Sequence, residues 1–295
     1  MTNRETVTDI CTEYIDSRRN SVKESTIANY TALLRNHIEP HFDGVEADKL
    51  TKDEVSSYYK SLVDDGFSAA HIHSIGILLR AAYSYAEDTY GLDNVCKGVY
   101  MPKMRKRMIT VLTAAEKRKV LRGGDTAAVI ALSMGLRIGE VCGLMGQDIE
   151  SDILTVSRTV QRIQPRKGET KVIVSQPKTE HSRRQIPIPK HIAPLLKAPA
   201  DRYIIGGDTQ PVEPRMITYH WKKFCRENGM RNINFHTLRH TFATSALEAG
   251  VDVKTLSEML GHASTSTTMD LYCHPTMKHK KDCMKKIWGR GHDQP

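Results

Sequence analysis

Long apolar runs are missing from this chain of 295 residues. No stretch approaches the roughly 18 consecutive apolar residues that a membrane-spanning helix needs. The opening Met-Thr-Asn-Arg-Glu has none of the apolar core of a secretory leader, which points to a cytoplasmic protein with no membrane partner. Cysteine is sparse and unpatterned: Cys11, Cys96, Cys142, Cys225, Cys273 and Cys283 form no C-x-x-C pair. That spacing argues against a disulfide framework or a zinc ribbon, and for reduced thiols. No internal repeat is evident. Disorder and collagen-like repetition are excluded by a composition of 39% hydrophobic and 26% charged residues, which supplies a real core. The length suits about two domains of ordinary size.

Acidic charge is in deficit, and unevenly so. The chain carries 43 Lys+Arg against 34 Asp+Glu, a net of +9. Residues 1–103 hold 11 basic against 16 acidic side chains, net −5, while residues 104–295 hold 32 against 18, net +14. A polyanion is the obvious partner of the second part, and nucleic acid is the commonest one. Charge alone leaves a basic surface that binds nothing equally open.

Apolar residues recur at helical spacing through the first hundred positions. Val7, Ile10, Cys11, Tyr14 and Ile15 form one stripe. Ile27, Tyr30, Leu34 and Ile38 form a second, opening at Ser25 and expected to stop at Pro40. Thr51-Lys-Asp-Glu54 reads as a capping box for a run through Val55, Tyr58, Tyr59, Leu62 and Val63. Ser68 can cap a fourth run holding Ile72, Ile75, Leu78, Leu79, Ala82 and Tyr83. Four amphipathic helices on short connections predict a helical bundle over residues 1–100. Met101-Pro-Lys-Met-Arg-Lys-Arg107 breaks the pattern and reads as a basic linker over 101–107, either plainly solvated or laid along a phosphate backbone.

From residue 108 the pattern is mixed, so the fold class expected is mostly α with a small antiparallel sheet. Thr113-Ala-Ala-Glu116 caps a helix, and Thr126 to Met134 is apolar nearly all round, hence a buried helix. Residues 153–163, 171–175 and 185–188 read as the strands of a three-stranded antiparallel meander. Helices are expected near 190–197, 214–228, 237–249 and 253–260, with Gly250 and Gly261 closing the last two. The stretch 266–272 and a tail over 278–288 read as helical as well.

Several residues have chemistry to offer, though each has a bland reading. His236, Arg239 and His240 share a helix face at i, i+3 and i+4. The two histidines, four apart, resemble the H-E-x-x-H zinc pair, but the glutamate of that motif is absent and Arg239 would repel a dication. A solvated cluster or an anion site remains. Arg137 leaves an apolar helix and needs a partner, which Glu140 at i+3 can be. His262 after Gly261 fits a helix C-terminus as a dipole partner. Tyr272, taken alone, reads as packing, and Lys178 as an exposed lysine at the mouth of a hairpin.

Taken together, Arg137, Lys178, His236, Arg239, His262 and Tyr272 resemble the tyrosine recombinase (phage integrase) family over nearly the whole chain. The segments that carry the likeness are S-M-G-L-R-I-G-E-V-C-G-L around Arg137 and H-x-L-R-H, L-G-H and the following tyrosine between Asn234 and His274. Lys171 competes with Lys178 for the lysine; Lys178, in the turn before S-R-R-Q-I-P-I, matches better.

The resemblance implies a SAM-like core-binding DNA-binding domain over 1–100. It implies an α+β catalytic domain over 108–295 with a C-terminal tail helix, the two clamping a duplex. Tyr272 would be the nucleophile, Arg137 and Arg239 the phosphate clamp, His262 a further donor, Lys178 the general acid and His236 a proton-handling or positioning group. Glu140 and His240 would be supporting residues. No cofactor or metal is implied. The partners implied are double-stranded DNA with inverted-repeat core sites, a homotetramer on synapsed DNA, and accessory directionality factors. The first helix begins within a few residues of Met1, so an arm-site-binding domain is either naturally absent or removed. A type IB topoisomerase and a DNA-binding module without catalysis are the alternatives. Spacing and the tail disfavour the first, and the intact six-residue set disfavours the second.

Overall fold

The computed structural model describes residues 5–104, 109–175, 183–262 and 264–272 together with 277, 281, 284 and 285, the side chains of 270–272 excepted. The chain divides into two units, Met1–Arg107 with Ile163–Lys171, and Met108–Arg162 with Val172–Pro295.

Capping residues set the helix starts of the first unit. Thr6 and Asp9 form a capping box at α1 (Val7–Ser17), and Thr51 and Glu54 form another at α4 (Lys52–Asp64). The Ser68 hydroxyl accepts from His71 N at the start of α5 (Ala69–Tyr90), which Gly91 closes in a left-handed conformation. Between them lie α2 (Glu24–Leu33) and the short α3 (Glu39–Phe42). The stripes read from the sequence meet in one core, in which Ile10, Ile38, Ile72, Ile75, Leu78 and Leu79 are wholly buried.

Pro40 does not stop its helix, contrary to the sequence reading. Residues Leu34–Ile38 widen into a π-turn, in which Glu39 N–H reaches Leu34 O. The wider turn shifts the hydrogen-bond frame, so that Pro40 falls in the first turn of α3, where no N–H is required.

In the second unit, Thr113 and Glu116 form a capping box at α6 (Ala114–Gly123). Asp125 accepts from Ala128 N at the head of α7 (Thr126–Met134), whose sides are almost entirely buried. Next come α8 (Ile138–Gly143), β1 (Ile149–Glu150) and β2 (Ile153–Val156), then β3 (Thr159–Arg166) and β4 (Glu169–Ser175), whose residues 163–171 belong to the first unit, and β5 (Arg184–Pro187). A single 3₁₀ turn at Ala193–Leu196 replaces the helix expected near 190–197. Four helices complete the described residues: α9 (Pro214–Glu227), α10 (His236–Glu248), α11 (Val253–Leu260) and α12 (Thr265–Tyr272). The expected tail helix over 278–288 lies almost wholly outside the described residues, as does the turn around 179–182.

The expected meander is corrected. The described residues form two sheets, β1-β2-β5 and β3-β4, and the first is antiparallel with Leu154 opposite Ile186. The expected strand 153–163 breaks at Ser157 and Arg158 because both side chains are tied to the buried Asp148. Ser157 Oγ donates to Oδ1 at 3.1 Å and Arg158 Nη1 to Oδ2 at 2.7 Å, while Arg158 also reaches Gly143 O. The anchor ends one strand and lets the next leave with β4.

The core of this unit gathers Ile130, Met134, Leu154, Ile186, Trp221 and Leu238. Trp221 satisfies its indole N–H on Ile233 O at 2.7 Å. Among the described residues, no helix is long and apolar enough to cross a membrane.

Gly135 ends α7 at φ +69°, and a Cβ there would stand 2.4 Å from Phe242 Cδ1. Left-handed strain and overpacking add, so Gly135→Ala should cost roughly 2–4 kcal/mol. Urea unfolding measures this; a loss below about 1 kcal/mol would show that Phe242 yields freely.

Candidate active site

The site is assembled where α7, α8, α10 and α11 meet β5. The turn at Gly135 sends Leu136 into the core and leaves Arg137 at the head of α8. Glu140, one turn on, accepts from Arg137 N at 2.8 Å and from Arg137 Nη1 at 2.9 Å. This is the pair expected from the i, i+3 spacing, but Glu140 is only 6% exposed and serves more than Arg137.

Arg184 is the residue that sequence reasoning missed. From β5 it sends a two-pronged fork onto Glu140, Nη1 to Oε1 at 3.0 Å and Nη2 to Oε2 at 2.8 Å. Its Nε donates to Met259 O at 2.6 Å. A signal was present: strand alternation puts Arg184 on the same buried face as Ile186, and a charge on an apolar face demands a partner.

Arg239, from the first turn of α10, is 1% exposed. Its Nη1 donates to Gly135 O at 2.8 Å, and its Nη2 to Leu260 O at 2.7 Å and to His262 Nε2 at 2.9 Å. Nη1 also stands 3.9 Å from Glu140 Oε2. Arg137 completes the group with longer contacts, Nη1 to Leu260 O at 3.3 Å and Nη2 to Gly261 O at 3.4 Å.

All three arginines therefore converge on the C-terminus of α11. That end closes in a Schellman turn, with Gly261 N on Glu258 O and His262 N on Ser257 O. The carbonyls of 259–261 remain open, and the arginines take them. Gly261 is required twice, for its φ of +64° and because a Cβ would lie 2.9 Å from Arg184 Nη1.

Around one carboxylate there are three guanidiniums, an excess of two positive charges. Burial pushes the Glu140 pKa up, but the Arg184 hydrogen bonds and the charges of Arg184, Arg137 and Arg239 hold it down at about 2. Burial, then Arg239, Arg137 and Arg184, lowers His262 to about 4. The arginines already occupy the helix end, and beside them the imidazole is held neutral. His236 falls to about 4 through burial, then His240, Arg239 and Arg137. His240, edge-on to His236 at 4.6 Å between ring centres, is lowered by burial and then by Arg239.

Arg137, Glu140, Arg239 and His262 are thus brought into direct contact, with His236 and His240 beside them on α10. Lys178 lies outside the described residues. Tyr272 is the last residue of α12, and its side chain lies outside the description.

A neutral histidine in the folded state binds fewer protons than in the unfolded chain between about pH 6.5 and 4. Stability should therefore fall as pH drops through that window. Replacing His236 and His262 together by Gln should flatten the fall in urea midpoint; an unchanged slope would place the acid sensitivity elsewhere.

Residues 105–279 match the phage integrase family, and residues 6–63 match the phage integrase N-terminal SAM-like domain. A tyrosine recombinase of Pseudothermotoga lettingae is 31% identical, with 72% of this chain and 73% of that protein covered. A XerC-like tyrosine recombinase of Caldanaerobacter subterraneus subsp. tengcongensis is 29% identical, with 91% and 79% covered. Among solved structures, the Tn1549 transposon integrase in complex with transposon right end DNA has a TM-score of 0.78 at 21% identity, covering 96% of this chain and 99% of that one. A lambda integrase dimer bound to a COC′ core site gives 0.70 at 19%, covering 92% and 98%. At such identities the likeness is one of fold.

Proposed function

Because the chain belongs to the phage integrase family and is a tyrosine-type site-specific DNA recombinase, we propose that it cleaves and rejoins duplex DNA through a 3′-phosphotyrosyl intermediate on Tyr272. One observation carries this reading: the guanidiniums of Arg137 and Arg239 meet beside His262 in a cluster with positive charge in excess. A phosphodiester is anionic, and attack on phosphorus builds further charge on its non-bridging oxygens. Arg137 and Arg239 clamp those oxygens, and His262, whose Nε2 accepts from Arg239, holds that arginine in aim.

The Tyr272 phenol oxygen bonds to phosphorus as the bond to the 5′-oxygen breaks. Lys178 protonates the departing 5′-oxygen, an assignment resting on its place in the sequence before S-R-R-Q-I-P-I. His236, neutral and beside the clamp, takes the phenol proton or positions the phosphate. Attack by a 5′-hydroxyl on the phosphotyrosine reverses the step and rejoins a strand. Glu140 and His240 support the cluster.

The DNA is inverted-repeat core sites bound by a homotetramer in synapsis, with accessory directionality factors as further partners, and the protein acts in the cytoplasm. Support for a tetramer comes from lambda integrase, which forms one on a Holliday junction. Support for duplex binding comes from α9. It buries Ile217, Trp221 and Cys225 and exposes Arg215, Lys222, Lys223 and Arg226 on its outer side. Residues 1–100 are the core-binding domain, 101–107 the linker and 108–295 the catalytic domain with its tail helix.

A nicked suicide substrate tests the chemistry. The wild-type chain should form a covalent protein–DNA adduct and Tyr272→Phe none; an adduct with Tyr272→Phe overturns the nucleophile. Lys178→Ala should cleave ordinary DNA about 10²–10⁴-fold more slowly. Sulfur at the bridging 5′ position should restore much of that loss, since a thiolate leaves unprotonated. Rescue of a His262 variant instead would move the acid to His262.

Affinity for duplex DNA should also fall steeply with salt, because the +14 charge of residues 104–295 releases counterions on binding. A flat titration from about 50 to 200 mM salt would contradict phosphate-led binding.

A further inference from the structure

Thr268 is a buried polar side chain to which neither the family motif residues nor the chemistry above gives a task. It lies in the middle of α12 with no exposed surface, flanked by exposed Thr267 and Met269. Its Oγ1 stands 2.8 Å from His262 Nδ1. On the other side of the same ring, Nε2 stands 2.9 Å from Arg239 Nη2.

These two contacts fix a proton. A guanidinium has donors and no lone pair, so Nε2 must accept from Arg239 and carries no hydrogen. The hydrogen of the neutral ring is then on Nδ1, where the Thr268 hydroxyl accepts it. The ring is neutral because burial and the positive charges of Arg239 of α10, Arg137 at the head of α8 and Arg184 of β5 outweigh the opposite pull of Glu140. His262 belongs to the loop after α11, and Thr268 to the helix whose last residue is Tyr272, one turn further along.

We infer that Thr268 is a positioning residue that acts through His262: its hydroxyl holds the imidazole in the Nδ1–H form, aims Nε2 at Arg239, and thereby ties α12 to the phosphate clamp. Its consequence for cleavage rests on the recombinase reading above; its consequence for the imidazole does not. A ring set this way keeps Arg239 oriented before the phosphate arrives, so no reorganisation of the clamp is needed as charge develops.

The first test needs no DNA. Protein labelled with ¹⁵N at histidine should show His262 as the Nδ1–H tautomer at neutral pH, and so should Thr268→Ser, which keeps the hydroxyl. Thr268→Val, of the same shape without it, leaves the buried Nδ1–H without its acceptor and should shift the ring towards the Nε2–H form at the expense of the Arg239 contact. A wild-type ring already in the Nε2–H form, or a Thr268→Val ring identical to wild type, overturns the inference.

The second test is single-turnover formation of the covalent adduct. Thr268→Val should slow it about tenfold, the scale of one hydrogen bond, with DNA affinity unchanged and Thr268→Ser restoring the rate. In a His262→Ala background, Thr268→Val should add nothing, because its effect runs through the missing ring. Equal slowing with and without His262 would mean that Thr268 only packs α12, and the inference fails. A wild-type chain that forms no adduct refutes the recombinase reading, and the tautomer then decides on Thr268 alone.

Discussion

Three guanidiniums share one pocket, and the second unit is built so that they can. Like charges about 4 Å apart repel by roughly 4 kcal/mol per pair at an effective dielectric near 20. Arg184 and Arg239 have almost no water to soften that cost. Two things offset it: the Glu140 carboxylate, and the open carbonyls at the end of α11 with their share of the helix dipole. Neither suffices by itself. One carboxylate leaves two positive charges uncompensated, and three carbonyls supply only partial charge. The residual charge is what an anionic group would meet. A phosphodiester carries one negative charge and its pentacoordinate transition state two, so on the proposed chemistry the cluster matches the transition state better than the ground state.

This balance depends on backbone geometry before it depends on side chains. A Schellman turn directs the last carbonyls of α11 away from their own helix, and only a left-handed residue makes that turn without strain. Gly261 supplies the conformation, and its missing Cβ supplies the space that Arg184 fills. Gly135 does the corresponding work at the end of α7. Its carbonyl receives Arg239 Nη1, and its bare Cα lets Phe242 and Leu260 close over the turn. The two glycines lie far apart in sequence and frame one pocket.

Features governed by neighbours within a turn were legible in the sequence. The capping boxes at Thr51 and Thr113, the buried helix 126–134, Gly261 as a helix terminator and the Arg137–Glu140 spacing each depend on residues three or four apart. Features governed by a distant partner were not. The break after Val156 depends on Asp148, which takes Ser157 and Arg158 out of the strand. The helix through Pro40 depends on a π-turn that no local spacing announces. Arg184 read as one of two basic residues before a strand, and only its partner 44 positions earlier, Glu140, shows that it belongs to the site.

The two arginines of the proposed clamp are held differently, and on that proposal the difference bears on how a buried cluster accepts a ligand. Arg239 is 1% exposed, and its contacts to Gly135 O, Leu260 O and His262 are all 2.9 Å or shorter. It is fixed before any anion arrives. The Arg137 side chain is 38% exposed, and its contacts to Leu260 O and Gly261 O are 3.3 and 3.4 Å, near the limit of useful hydrogen bonding. Exchanging those two for charge-assisted bonds to an oxyanion loses little and gains more, while Glu140 still holds Nη1 and the backbone N–H of Arg137. A rigid arginine beside an adaptable one gives a site that is oriented in advance and still able to close on its substrate.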